Sequence, residues 1–215
     1  MALPGIAPYP LPTVAELPAA RAPFAPERDR LALLVHDMQR YFCAPYPDDA
    51  PLRPAVANIA QLIAGARAAG IPVFYTAQKG NQFRPDRGLQ ADLWGPGMAA
   101  KPEHEAILPD LAPALDDIVL VKHRYSAFQR SNLETLLRAR GRDQLMITGI
   151  YAHIGCLCTA TEAFQRDIEP FAVADAQADF DRAKHDMAMQ WIAATCGGVT
   201  STGQMLEAIG VSAAA

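Results

Sequence analysis

The chain has 215 residues, of which 51% are hydrophobic and 20% charged, and its net charge is -4. That length suits one domain with a substantial buried core. The composition excludes a nucleic-acid surface, because there is no Lys/Arg run or basic stripe, and no apolar stretch approaches the roughly 20 residues that cross a bilayer.

The first 28 residues carry Pro4, Pro8, Pro10, Pro12, Pro18, Pro23 and Pro26. Proline at that density prevents regular helix and sheet, so 1–28 is read as an extended arm. It either wraps the domain or a partner subunit, or forms a disordered tail. It lacks the basic and apolar regions of a signal peptide, which predicts a cytoplasmic protein. The four cysteines, Cys43, Cys156, Cys158 and Cys196, match neither a disulfide framework nor a zinc site.

A regular alternation follows over 29–210. Leu31–Val35 is a continuous apolar run, the pattern of a strand buried on both faces. Pro54–Ala69 has helical apolar spacing and stops at Gly70. Further strands are predicted at Ile71–Tyr75, Asp117–Val121, Leu145–Thr148 and Pro170–Ala174, with a short sixth from Val199. Helices are predicted at Asn132–Ala139, Cys156–Arg166, Arg182–Thr195 and Gly203–Ile209. The fold class is therefore α/β: a doubly wound, six-stranded, mostly parallel sheet with helices on both faces, a Rossmann-like three-layer arrangement. Residues 211–215 are read as a short C-terminal tail. Lys79 to Met98 is polar and punctuated by Gly and Pro. A loop that long within a compact domain is usually functional.

Ligands of open α/β sheets bind outside the carboxyl ends of the strands. The residues just after each apolar run are thus the site candidates. They include His36, Asp37 and Phe42 after the first strand, Gln78 after the second, Lys122 and Tyr125 after the third, and Tyr151 to Gly155 after the fourth.

The segments LLVHDMQRYF, YTAQ, RGLQADLWGPGM, KHRYSAF and GRDQLMITGIYAHIGCLCTATEAFQRDIEPFAVADAQADF together resemble the isochorismatases of siderophore and phenazine pathways. These belong to a wider hydrolase superfamily whose nicotinamidase-like members use an Asp, a Lys and a nucleophilic Cys. The resemblance implies that Asp37 and Lys122 fill the first two places and that Gly155 stands where the nucleophile would be. A shift of one residue on a helix rotates a side chain by about 100°, so Cys156 is expected to point elsewhere as a small buried hydrophobe, and Cys158 likewise. The resemblance also implies a non-prolyl cis peptide at Ile150–Tyr151.

The implied reaction is hydrolysis of the enolpyruvyl vinyl ether of isochorismate, giving pyruvate and 2,3-dihydro-2,3-dihydroxybenzoate. No covalent intermediate forms. The same chemistry on 2-amino-2-deoxyisochorismate is the alternative, and a Cys-dependent amidase using Cys156 is a third. Asp37 is the expected general acid, its pKa raised by desolvation behind Phe42 and Trp94 and by the negative substrate, with Lys122 opposing. Arg87, Gln78 and Tyr151 are the expected donors to a small-molecule dicarboxylate. Phe42, Trp94 and Tyr125 are expected to line its ring, and Gly155 to leave room and offer a backbone N–H.

No metal or cofactor is expected, since His36, His123 and His153 lie on separate turns without ligand spacing. His123 replaces a Trp common in such segments. Asp175 and Asp179 are read as structural. The resemblance further implies a homodimer with transient contacts to pathway enzymes; no aryl carrier domain is recognised in the sequence.

Overall fold

A computed structural model describes residues 5–47 and 50–211. The first four residues of the arm, and all of the tail except Val211, lie outside the described residues.

Six strands form one sheet: β1 (Leu31–His36), β2 (Val73–Ala77), β3 (Ile118–Val121), β4 (Gln144–Ile150), β5 (Glu169–Ala178) and β6 (Gly198–Thr200). Their spatial order is β3-β2-β1-β4-β5-β6, and every neighbouring pair is parallel. The sheet is thus wholly, not mostly, parallel. The apolar runs explain this, because parallel strands covered on both faces need no polar alternation. All six residues of β1 and all seven of β4 are buried.

The helices are α1 (Arg40–Cys43), α2 (Leu52–Ala68), α3 (Arg84–Arg87), α4 (Gln90–Trp94), α5 (Pro102–Glu105), α6 (Leu133–Arg138), α7 (Leu157–Phe164), α8 (Arg182–Thr195) and α9 (Thr202–Ala208). Alternate residues of each strand feed two cores. Leu31, Leu33, Val35, Val73 and Tyr75 pack against α2 and α9 through Ile59, Leu62, Met205 and Leu206. Ala32, Leu34, Phe74, Leu145 and Ile147 pack against α6, α7 and α8 through Leu133, Leu137, Ala160 and Ile192.

Local capping agrees with these boundaries. The Asp181 carboxylate accepts from the Lys184 N–H at the start of α8, and Ser201 with Gln204 forms a capping box at α9. Strand β5 runs four residues beyond its predicted end. Asp175 interrupts the apolar run there, yet its carboxylate is taken up by the Thr202 N–H and hydroxyl at 2.7 and 2.8 Å. Gln177, next along, donates to the Ile147 carbonyl.

The arm lies on the domain. Ile6 and Tyr9 are buried, and the Tyr9 hydroxyl accepts from the Asp179 N–H at 2.6 Å and meets His185 Nδ1 at 3.2 Å. Strand β1 pairs with β2 on one side and β4 on the other. The chain leaves β1 for β2 and reaches β4 by the opposite branch, so the crevice of a doubly wound sheet opens at the carboxyl ends of β1 and β4. His36 is the last paired residue there, opposite Thr76 and Gly149.

Candidate active site

Asp37 is the first residue past β1. Its φ is 52°, in the left-handed region that Asp tolerates better than most residues. That turn points its carboxyl across the sheet edge. Oδ2 lies 2.7 Å from Lys122 Nζ and 3.3 Å from the Gln78 amide nitrogen. Oδ1 accepts from the Thr76 hydroxyl at 2.7 Å. Three consecutive neighbours in the sheet, β3, β2 and β1, therefore supply this cluster.

Lys122 has three N–H donors, and all are used. Besides Asp37 they reach the carbonyls of Arg124 at 2.8 Å and Tyr125 at 3.2 Å. Lys122 thus anchors the carboxylate and the turn after β3, with no donor left over for a ligand. Burial alone pushes the Asp37 carboxyl up. The Lys122 charge and the hydrogen bonds from Lys122 and Thr76 outweigh it and hold the group below its ordinary value. The raised value expected from the sequence is thus reversed in the free protein, because a cation at 2.7 Å exceeds desolvation.

Around this pair lies a pocket of about 590 Å³ including its open mouth, within the usual range for small-molecule sites. Asp37, Lys122, Gly155, Gln78, Arg87, Phe42, Trp94, Tyr125 and Tyr151 all line it, so the segments named from the sequence converge. Arg87 closes one side. It is buried, donates through Nε to the Gly95 carbonyl at 2.6 Å, and has no carboxylate within 4 Å among the described residues. A Cβ on Gly97 would stand 2.7 Å from its Nη1, so that glycine lets the loop close over the guanidinium. Burial pulls the Arg87 pKa down from its ordinary value, partly offset by Tyr41 and Tyr125. A buried cation lining a cavity is a ready partner for an anion.

Two hydroxyls behave differently from one another. Tyr151 donates to the Phe42 carbonyl at 2.7 Å, so its proton is committed, and its expected donation to a ligand is corrected on that ground. Tyr125 instead accepts from Trp94 Nε1 at 2.6 Å, which leaves its own proton available. The Ile150–Tyr151 peptide bond is cis.

Tyr41 and Ile154, which follow strands one and four, also line the pocket, as do Gln90 and Phe180, which position after the strands does not single out. Phe180 follows β5 and lies 4.4 Å, centroid to centroid, from Tyr151. It is placed by Asp179, whose carboxylate accepts from the Phe180 and His153 N–H groups at 2.7 and 2.6 Å. Gln39 also matters for position. Its amide clasps the Gln78 backbone through both N–H and C=O at 2.7 and 2.8 Å. The predicted loop over Lys79–Met98 holds α3 and α4, each too short for a periodic signal, and both contribute to the pocket wall.

Cys156 is fully buried in the core with Ala152, Ala160 and Ile192, and burial raises its thiol well above the ordinary value. Such a thiol is inert. Among the described residues no group of three His, Cys, Asp or Glu side chains is arranged to hold a metal ion.

A family model described as the isochorismatase domain matches residues 31–204. The chain belongs to the isochorismatase family. It is 49% identical to the isochorismatase of Bacillus subtilis (strain 168), over 96% of this chain and 67% of that protein. It is 48% identical to enterobactin synthase component B of Escherichia coli (strain K12), over 97% of this chain and 73% of that protein. Phenazine biosynthesis protein PhzD1 of Pseudomonas aeruginosa is 48% identical, over 95% of this chain and 99% of that one. Among solved structures, a cysteine hydrolase from Pseudomonas syringae pv. phaseolicola 1448A aligns with a TM-score of 0.79 and 28% identity, covering 89% of this chain and 97% of that one. As an isochorismatase-family chain this protein is a hydrolase, and Gly155 lines the same pocket as Asp37.

Proposed function

We propose that the protein hydrolyses the enolpyruvyl ether of isochorismate to 2,3-dihydro-2,3-dihydroxybenzoate and pyruvate, without a covalent enzyme intermediate. One observation carries the reading: a buried Asp–Lys pair shares its pocket with a buried arginine that has no carboxylate partner among the described residues, and position 155 in the lining is glycine, not a nucleophile. Such a site moves a proton and binds an anion.

In this mechanism Arg87 receives a substrate carboxylate, and Tyr125 donates its free hydroxyl proton beside it. Phe42, Trp94, Tyr151 and Phe180 cover the ring and exclude water. Asp37 protonates the terminal methylene carbon, and an oxocarbenium ion forms. Water adds to that cation and returns its proton to the Asp37 carboxylate. The hemiketal then collapses, its hydroxyl proton passing to the departing ring oxygen, which gives the ring alcohol and pyruvate. Because Asp37 is ionised in the free protein, it takes up its proton as the dianionic substrate binds and water leaves. Lys122 keeps the carboxyl aimed throughout.

The second reading is the same chemistry on 2-amino-2-deoxyisochorismate. It is favoured by the phenazine biosynthesis relative, which matches this chain as closely as the enterobactin relative does. Among the described residues no helix is long and apolar enough to cross a membrane. A cytoplasmic location is proposed from the free state of all four cysteines. A homodimer is proposed from the exposed Phe83, Leu89 and Leu93 side chains clustered in sequence along α3 and α4.

The deciding experiment follows pyruvate with lactate dehydrogenase while the protein acts on each substrate in turn. Turnover of isochorismate with the higher kcat/KM supports the first reading. Preference for the amino compound selects the second, and turnover of neither sinks both.

A further inference from the structure

Position 155 has no side chain, and the space in front of it is already filled. A Cβ built on Gly155 would overlap His36 Cε1 and stand 2.8 Å from Nε2 and 2.9 Å from Nδ1. The obstacle is not a flexible tip. His36 is fully buried, and the backbone behind it is paired to β2 on one side and β4 on the other.

The ring is held by one hydrogen bond, and its other nitrogen lies against a carbonyl. Nδ1 lies 2.9 Å from the Ile150 carbonyl, and Nε2 lies 3.2 Å from the Tyr125 carbonyl. A neutral imidazole has a single N–H, and the shorter contact assigns it to Ile150. The Tyr125 carbonyl is also the one that accepts from Lys122. His36 therefore donates to the end of β4 at Ile150, packs against the turn after β3 at Tyr125, adjoins Asp37 in the chain, and lies against Gly155.

We infer that His36 decides which reactions this pocket runs: its ring occupies the volume that any side chain at position 155 would need. It thereby restricts the site to bonds that break by proton transfer and water attack. Substrates that require a nucleophile from the enzyme, such as amides, are excluded by shape. His36 acts through Gly155 and Asp37, so it is a positioning and specificity-determining residue. Positions 36 and 155 form a coupled pair in which 155 cannot gain a side chain unless 36 gives up its ring. The catalytic half of this inference rests on the function proposed above; the volumetric half does not.

The test is a four-protein cycle of wild type, Gly155→Ala, His36→Asn and the double variant. The Asn amide nitrogen stands near the place of Nδ1 and keeps a donor for Ile150; the space of Cε1 and Nε2 is vacated, and the remaining 2.9 Å contact is with the free end of a side chain that can shift. Thermal unfolding midpoints are measured first, then kcat and KM for isochorismate. Gly155→Ala is expected to lower the midpoint and to cut kcat/KM by about 100-fold, as overpacking against a fixed group does. His36→Asn is expected to lower kcat about tenfold with KM within about threefold, the pattern of a group that aligns the acid and not the substrate. The double variant is expected to be no less stable and no less active than His36→Asn.

Losses that multiply in the double variant overturn the inference. So does a Gly155→Ala protein as stable and active as wild type. If Gly155→Ala yields no folded protein, recovery of folded protein in the double variant supports the inference, and failure to recover overturns it. The thermal arm needs no substrate, so a wild type inert toward isochorismate would end the proposed function without touching this result.

Discussion

Lys122 Nζ stands 2.7 Å from Asp37 Oδ2 with both side chains almost entirely buried. Removing one partner of such a pair leaves an uncompensated charge, which is costlier than removing both. Lys122→Met is therefore expected to destabilise the protein by about 3 kcal/mol, read by chemical denaturation. It is also expected to release the Asp37 carboxyl upward, since burial then acts unopposed by its nearest cation. The pH dependence of kcat/KM should move to higher pH in this variant. An unmoved profile would remove Asp37 as the titrating acid.

Asp37→Asn tests the acid directly. The amide is close to isosteric and retains partners in Thr76 and Gln78, so the fold is expected to persist by circular dichroism. Turnover should fall by about 100-fold or more, the usual contribution of a positioned general acid. Near wild-type kcat would end the assignment.

The ionised state of Asp37 in the free protein has its own consequence. The profile of kcat/KM reports the free enzyme, and in it the acid is held below the ordinary carboxylate value. Activity by that measure is expected to climb steadily as pH falls from 8 toward 5, with no plateau in between. Calorimetric titration with a non-hydrolysable dicarboxylate in buffers of different ionisation enthalpy should show proton uptake on binding. Zero uptake would mean that the proton comes from a group other than Asp37.

Arg87 and Cys156 make a contrasting pair. Arg87→Lys keeps the charge but loses the planar fork, and KM is expected to rise about tenfold or more, the value of a charged hydrogen bond, with kcat changed less. Cys156→Ala is expected to leave kcat/KM within about threefold and to lower stability by about 1 kcal/mol, the loss of one small buried group. Steady-state kinetics and denaturant titration of both variants check this. A collapse of turnover in Cys156→Ala would revive a thiol-dependent reaction.

These variants also mark what a sequence makes legible. Leu31–Val35 and Leu145–Thr148 announce themselves because strands buried on both faces must be continuously apolar, and the structure places them side by side at the centre of the sheet. The outer half of β5 is hidden because Asp175 and Gln177 look like a loop; only the tertiary partners Thr202 and Ile147 make them tolerable in a strand. Phe180 is hidden for the same reason, since it follows that polar stretch. Asp37 and Lys122 are visible by their positions after strands. Their separation is not, and that distance reverses the expected direction of the Asp37 pKa. The commitment of the Tyr151 proton to Phe42 is likewise a matter of geometry that spacing does not encode.

Acid stability provides the last test, because two buried histidines are held neutral. Burial pulls both His36 and His185 down from 6.5 to about 4. As pH drops below 6.5 the unfolded chain binds a proton at each histidine, while the folded chain does not until about pH 4. The unfolded state then holds more protons, so stability falls with falling pH across that window and is fully present above it. The loss is about 2 kcal/mol per histidine by pH 5, or several degrees in midpoint for a chain of this size. Unfolding midpoints measured from pH 8 to pH 5 should be flat above 6.5 and decline below. His185→Gln, which cannot titrate but still offers an amide to Ala174 and Tyr9, should reduce the decline by roughly half. A decline of unchanged steepness in that variant would assign the acid sensitivity to other groups.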